Sequence, residues 1–174
     1  PAAGAWLARD RLGVPLLLVR QEDGALRAFL NVCRHRGARL LDEGAGHSAR
    51  TFVCPYHAWT YALDGSLKGL PQAFGFPCLN KAESGLRRLA VRERGGLVWV
   101  VADPDLADSD IDSHLDPLMG ELEALDLSAP VAYAPPADAP PQQRFMGHNE
   151  LIVYEEARHK IKYVLQVRAG PRGQ

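Results

Sequence analysis

Cys33 and His35 stand one residue apart and Cys54 and His57 two apart, so the chain offers two matched pairs of one thiolate and one imidazole. Such pairs constrain the fold, because four donors hold a metal only if the chain brings them to one place. A lone Cys-x-His is ordinarily a core or surface feature. Two pairs in one chain are much harder to obtain by chance. The third cysteine, in Phe76-Pro77-Cys78-Leu79, has no metal-partner spacing and reads as a free thiol. Three unevenly spaced cysteines make no disulfide framework. That favours metal binding and a reducing, cytoplasmic compartment.

The text around the pairs has the grammar of hairpins. Leu16 to Arg20 and Leu26 to Asn31 are β-favouring runs joined through Asp23-Gly24, a dipeptide suited to the left-handed positions of a tight turn. The pattern returns as Trp59 to Leu63, Asp64-Gly65, Leu67 to Leu70, and again as Arg87 to Glu93, Gly95-Gly96, Leu97 to Ala102. Short strands with Gly-centred turns predict a mainly β fold, an antiparallel sandwich or small barrel. In such a fold two loops can meet at the tip of the sheet, each offering its Cys and its His. Gly37 and Pro55 suit the tight loop backbone, and Leu40, Phe52 and Val53 are expected to support it from beneath.

After Asp103-Pro104 the pattern changes. Asp116 can cap a helix with Pro117 at its first position, and Leu118, Leu122 and Leu125 then recur at helical spacing. Prolines at 130, 135, 136, 140 and 141 predict a linker. Beyond it Ile161, Tyr163, Leu165 and Val167 alternate as in a half-buried strand, while Leu151 to Tyr154 suits the start of a helix equally well. The expected organisation is a β-domain over 1–104, a helical connector over 105–134, and a Pro-rich linker with an irregular extension over 135–174.

The formal charge is −1, with no long run of one sign, which removes the usual footprint of a nucleic-acid or membrane-surface binder. No apolar stretch approaches the roughly 18 residues of a membrane span. His47, in a Gly-rich turn, and His114, before the expected helix, read as ordinary exposed polar residues. The same composition of two thiolates and two imidazoles also makes a tetrahedral zinc site. Zinc sites, however, typically pair Cys with Cys, whereas the mixed pairs here lean toward an iron–sulfur cluster in which two histidines replace two cysteines on one iron.

Cys33-Arg34-His35-Arg36-Gly37 and Cys54-Pro55-Tyr56-His57-Ala58-Trp59 resemble the two cluster-binding boxes of the Rieske non-haem iron oxygenases, specifically the α subunits of aromatic-ring-hydroxylating enzymes. Val19-Arg20, Ala28-Phe29-Leu30-Asn31-Val32, Asp64-Gly65 and Gly96-Leu97-Val98-Trp99-Val100 match the surrounding text, so the resemblance covers about residues 14–134. It implies a Rieske domain over 1–104 holding a [2Fe-2S] cluster through Cys33, His35, Cys54 and His57. Electrons would arrive from an NAD(P)H-dependent reductase or a ferredoxin and pass to an oxygenase that hydroxylates an aromatic or related substrate. By the same resemblance Trp59 packs over the cluster, Arg34 and Arg36 are candidates for docking a donor or a neighbouring subunit, and the assembly is a homotrimer.

Three departures accompany the resemblance. Ala58 stands where many members have glycine. The stretch between His35 and Cys54 is slightly long, with the excess placed in a Gly44 to Gly46 turn. The family's mononuclear Fe(II) site, two histidines five positions apart plus a carboxylate, is not recognisable: His148 and His159 are eleven apart, and residues 148–160 read as a charged, solvated face. That iron is therefore expected only in a catalytic domain absent from this sequence. The missing motif also keeps two other classes open, a stand-alone Rieske ferredoxin and a zinc-stabilised interaction module. Where the respiratory type has a serine and a disulfide, this sequence has Trp59, Ala38 and Tyr56. The cluster is thus expected near the low end of the Rieske range, on the order of −150 to 0 mV.

Overall fold

The computed structural model describes residues 2–11, 13–124, 152–153 and 163–165, which divide into one unit over 1–90 and a second over 91–174. The fold is mainly β, with open antiparallel sheets as the hairpin grammar predicts.

In the first unit, β1 (Ala5–Arg11), β2 (Val14–Arg20) and β3 (Leu26–Leu30) pair in sequence, with Leu7 opposite Leu18 and Leu17 opposite Phe29. The first residues of the strand Arg88–Arg94 (β8) extend this sheet beside β3, Ala28 facing Leu89. Leu16, Leu17, Leu18 and Val19 are all buried, so β2 is covered on both faces and reads as a continuous apolar run rather than an alternation.

On the other side of β1 lies a strand the sequence reading had as a turn, β4 (Gly44–His47). Gly46 opposes Trp6, and a Cβ there would sit 2.6 Å from the indole ring. Glycine at that position lets the Trp6 ring lie against the neighbouring strand, so Gly46 marks a close approach and not a bend. His47 is exposed on this strand, its Nε2 2.8 Å from the Ala3 carbonyl.

A small second sheet is formed by β5 (Thr51–Val53), β6 (Thr60–Ala62) and β7 (Leu67–Gly69), in the order β5-β6-β7. Ala8, Leu17, Val19 and Phe29 from the large sheet join Phe52, Tyr61 and Leu67 from the small one in a single core that also takes in Cys33, Cys54 and Trp59. The two thiols are therefore part of the hydrophobic core. They are not surface appendages.

In the second unit the remainder of β8 pairs with β9 (Leu97–Val101), and β11 (Tyr163–Leu165) adds to β9 with Val164 opposite Trp99. This bears out the strand expected around Tyr163 and Leu165. Ile152–Val153 forms β10 against β11, so the helical alternative there is corrected. The helix also starts earlier than expected, α1 running Asp108–Leu115. Asp110 accepts a hydrogen bond from the Ala107 N–H at 2.7 Å, and Asp108 and Asp110 place negative charge at the helix start. Asp116 and Pro117 lie mid-run, where the missing proline N–H breaks the α-helical ladder into one 3-10 turn before α2 (Met119–Ala124). The buried residues are Ile111 and Leu115, while Leu118 is exposed. Arg92 of β8 bridges Asp108 at 2.9 Å and Asp112 at 2.8 Å, and Arg94 bridges Asp116 at 2.6 Å, so the helix is tied to its strand by charge. Leu125, the proline-rich stretch 130–141, His148 and His159 lie outside the described residues.

Candidate metal centre

Each ligand pair sits in a loop that leaves the sheet and returns to it. The first is closed at its base by the bridge between Val32 and Arg39, the second by the pairing of Val53 with Thr60. Within each loop the backbone makes the same two bonds. Cys33 N–H donates to the Ala38 carbonyl at 2.7 Å and Gly37 N–H returns to the Cys33 carbonyl at 3.0 Å. Cys54 N–H donates to Trp59 at 2.8 Å and Ala58 N–H returns to Cys54 at 3.0 Å. The residue that reverses the chain is left-handed in both, with φ of 72° at Gly37 and 54° at Ala58. Gly37 thus does what the sequence predicts. Its counterpart is Ala58 and not Pro55.

The loops bring the four predicted residues together. Cys33 and Cys54 are each 2% exposed, and the His35 and His57 ring centroids lie 4.7 Å apart. The Nδ1 atoms of both histidines are buried and have no hydrogen-bond partner. Two orphaned ring nitrogens beside two buried thiols fit a group that would coordinate them, because buried polar atoms are otherwise almost always satisfied. Among the described residues no three His, Cys, Asp or Glu side chains are grouped as one ion requires. A two-iron cluster, taking two protein ligands on each iron, makes no such demand.

The surroundings select protonation states. Burial holds His35 below the usual imidazole range, with the charges of His57 and Arg36 acting the same way, which favours the neutral ring that ligation needs. Burial pushes the Cys33 thiol up, against the lowering pull of a hydrogen bond from Tyr61. The thiolate form therefore calls for a cationic partner at the site.

The supporting residues differ in part from those expected. Leu40 and Phe52 are buried under the loops, but Val53 is 51% exposed, because β5 alternates and Phe52 takes the inward position. Trp59 is buried and stacks on His35, centroids 4.9 Å apart and planes within 5°. Tyr61 escapes the sequence reading, which looked for a hydroxyl only at position 59. It is fully buried, its oxygen accepts the Arg34 N–H at 3.0 Å and lies 3.3 Å from Cys33 Sγ. The signal was available, since residues 59 and 61 of a strand share a face. Asn31 is the other missed brace. Its side chain donates to the Leu41 carbonyl at 2.7 Å and accepts the Leu41 N–H at 3.1 Å, pinning the far end of the first loop. Tyr56 and Arg34 are exposed at the tip, and Cys78 is exposed in the segment after β7.

Comparison with known proteins agrees with this geometry. Residues 2–80 match the family model described as "Rieske [2Fe-2S] domain". The chlorobenzene dioxygenase α subunit of Cupriavidus sp. is 43% identical over 97 residues, covering 55% of this chain and 21% of the relative. The glycine betaine monooxygenase oxygenase subunit of Chromohalobacter salexigens is 40% identical over 124 residues, covering 71% and 27%. The crystal structure of naphthalene 1,2-dioxygenase from Rhodococcus sp. superposes with a TM-score of 0.63 at 33% identity, covering 72% of this chain and 28% of that one. The chain thus spans about a quarter of the length of the relatives it matches.

Proposed function

We propose that this chain, whose residues 2–80 match the model of the Rieske [2Fe-2S] domain, is the electron-transferring part of an oxygenase, with Cys33, His35, Cys54 and His57 as the cluster ligands. The observation that carries the assignment is the pair of buried, unpartnered Nδ1 atoms on the same two loops as two buried thiols. When bound, the cluster supplies one-electron redox chemistry. The protein's own residues set the conditions for it. The two loops hold the thiols and imidazoles of the four ligands, Trp59 shields His35 from water, and the Tyr61 hydroxyl, 3.3 Å from the Cys33 sulfur, is placed to donate to it once that sulfur is a thiolate.

The same reading places the mononuclear Fe(II) on a catalytic domain outside this sequence and assigns substrate selection to it. The relatives' names span a chlorinated aromatic and a quaternary ammonium compound, which fits one electron-transfer domain serving different catalytic partners. The donor would be an NAD(P)H-dependent reductase or a ferredoxin. Arg34 and Arg36, exposed on the first loop, are assigned to docking a partner there, and the assembly is proposed to be a homotrimer. The proposed organisation keeps the Rieske domain at 1–104, the connector at 105–134 and the extension at 135–174, and the compartment is the cytoplasm. No helix of the described residues is long and apolar enough to cross a membrane.

The test is to mix the loaded chain with a reduced ferredoxin or flavin reductase and follow the visible band. It should bleach, and the chain alone should hydroxylate nothing. Substrate-dependent O2 consumption together with one extra iron per chain would overturn the division of labour.

A further inference from the structure

The two histidines are not held alike, and the difference traces to a segment that supplies no ligand. After β7 the chain runs through Pro71 to Asn80, where most side chains are exposed. Gln72, a non-glycine residue, adopts φ of 54°, and Gly75 N–H to Gln72 and Phe76 N–H to Ala73 wind one tight turn. Phe74 on that turn is 85% exposed, whereas Phe76 is turned inward and packs on the core together with Leu79. The Phe76 ring meets His35 at 5.6 Å and 82° and Trp59 at 5.7 Å and 79°. Because His35 and Trp59 are stacked within 5°, a single ring edge-on to both caps the stack. These are favourable edge-to-face separations for aromatic rings. His57, by contrast, is covered by the ring of Tyr56, itself 60% exposed.

We infer that Phe76 is a positioning residue for His35: by capping the His35–Trp59 stack it fixes the imidazole with Nδ1 facing inward, so that one histidine ligand is locked and the other is not. Residues that touch a ligand without touching the metal commonly change metal retention by 10- to 100-fold, and here the contact is made by carbon edges instead of a hydrogen bond. The inference rests on the reading of His35 as a ligand.

The experiment loads the full chain and its variants with cluster, then measures release to an iron chelator and the EPR g-values of the reduced form. Phe76→Leu, which keeps the core filled, should load fully yet release its cluster several-fold faster, and Phe76→Ala about tenfold faster, both with shifted g-values. Phe74→Ala, changed on the exposed side of the same turn, should match wild type in both readouts. Wild-type release and g-values in both Phe76 variants, with His35→Ala unable to retain cluster, overturn the positioning role alone. A full, stable cluster in His35→Ala overturns the ligand assignment beneath it.

Discussion

Cys33–Gly37 and Cys54–Ala58 close with the same pair of backbone hydrogen bonds and the same left-handed reversal, yet their side chains are braced differently. The first loop is tied down on every side. Tyr61 bonds its Cys33 sulfur and Arg34 amide, Asn31 pins its return, and Trp59 and Phe76 enclose His35. The second loop leans on the small sheet through Trp59 and presents Tyr56 and Ala58 to the outside. Backbone geometry therefore sets where the ligands are, and the unequal side-chain support sets how firmly each is held. This is the usual division between a ligand and the residues that orient it.

If the loops contribute equally to ligation, breaking either should have the same, largest effect. Alanine at Cys33, His35, Cys54 or His57 should abolish or cripple cluster binding, read as iron and acid-labile sulfide per chain, whereas Cys78→Ala should leave both unchanged. The asymmetry appears at the next level. Asn31→Ala removes two part-buried side-chain hydrogen bonds from the first loop only and should destabilise the chain by about 2 kcal/mol, measured by denaturant unfolding. Among the described residues the second loop has only a local counterpart, the Thr60 hydroxyl donating to the Ala58 carbonyl at 3.2 Å.

Tyr61→Phe sharpens the contrast electronically. It deletes a hydrogen bond worth about 1 kcal/mol to the Cys33 sulfur, and only the part of it gained on reduction moves the potential. At 59 mV per tenfold change for one electron, the midpoint potential should fall by up to roughly 40 mV. An unchanged potential would mean that the 3.3 Å contact does not act on the sulfur's charge.

The smallest pair of effects tests the shared backbone. A Cβ at Gly37 meets nothing within 4 Å, so Gly37→Ala carries only the left-handed penalty, about 1 kcal/mol. Ala58→Gly should gain about 0.5–1 kcal/mol, the relief of φ 54° less the greater freedom of glycine in the unfolded chain. Changes of the same sign in both variants would show that the two reversals are not equivalent.

The candidate ligand set was legible because metal chemistry restricts residue type and spacing so tightly, and the hairpins because turn residues announce themselves. What escaped detection was long-range. β4 looked like a turn because of its two glycines, of which Gly46 makes room for Trp6, a contact visible only once β1 and β4 are paired. The start of α1 was hidden by the run Asp108-Ser109-Asp110, poor helix formers of which Asp108 is held by Arg92 from a strand distant in sequence. Tyr61 and Phe76 carry no motif at all. Their roles depend on which side chain the tertiary fold sets beside them.

The central claim is that two loops jointly hold a two-iron group, and metal analysis of the purified chain tests it most directly. The account predicts about two irons and two acid-labile sulfides per chain, a red-brown colour, and loss of both in Cys54→Ala. A colourless protein with one zinc per chain and no sulfide would contradict it.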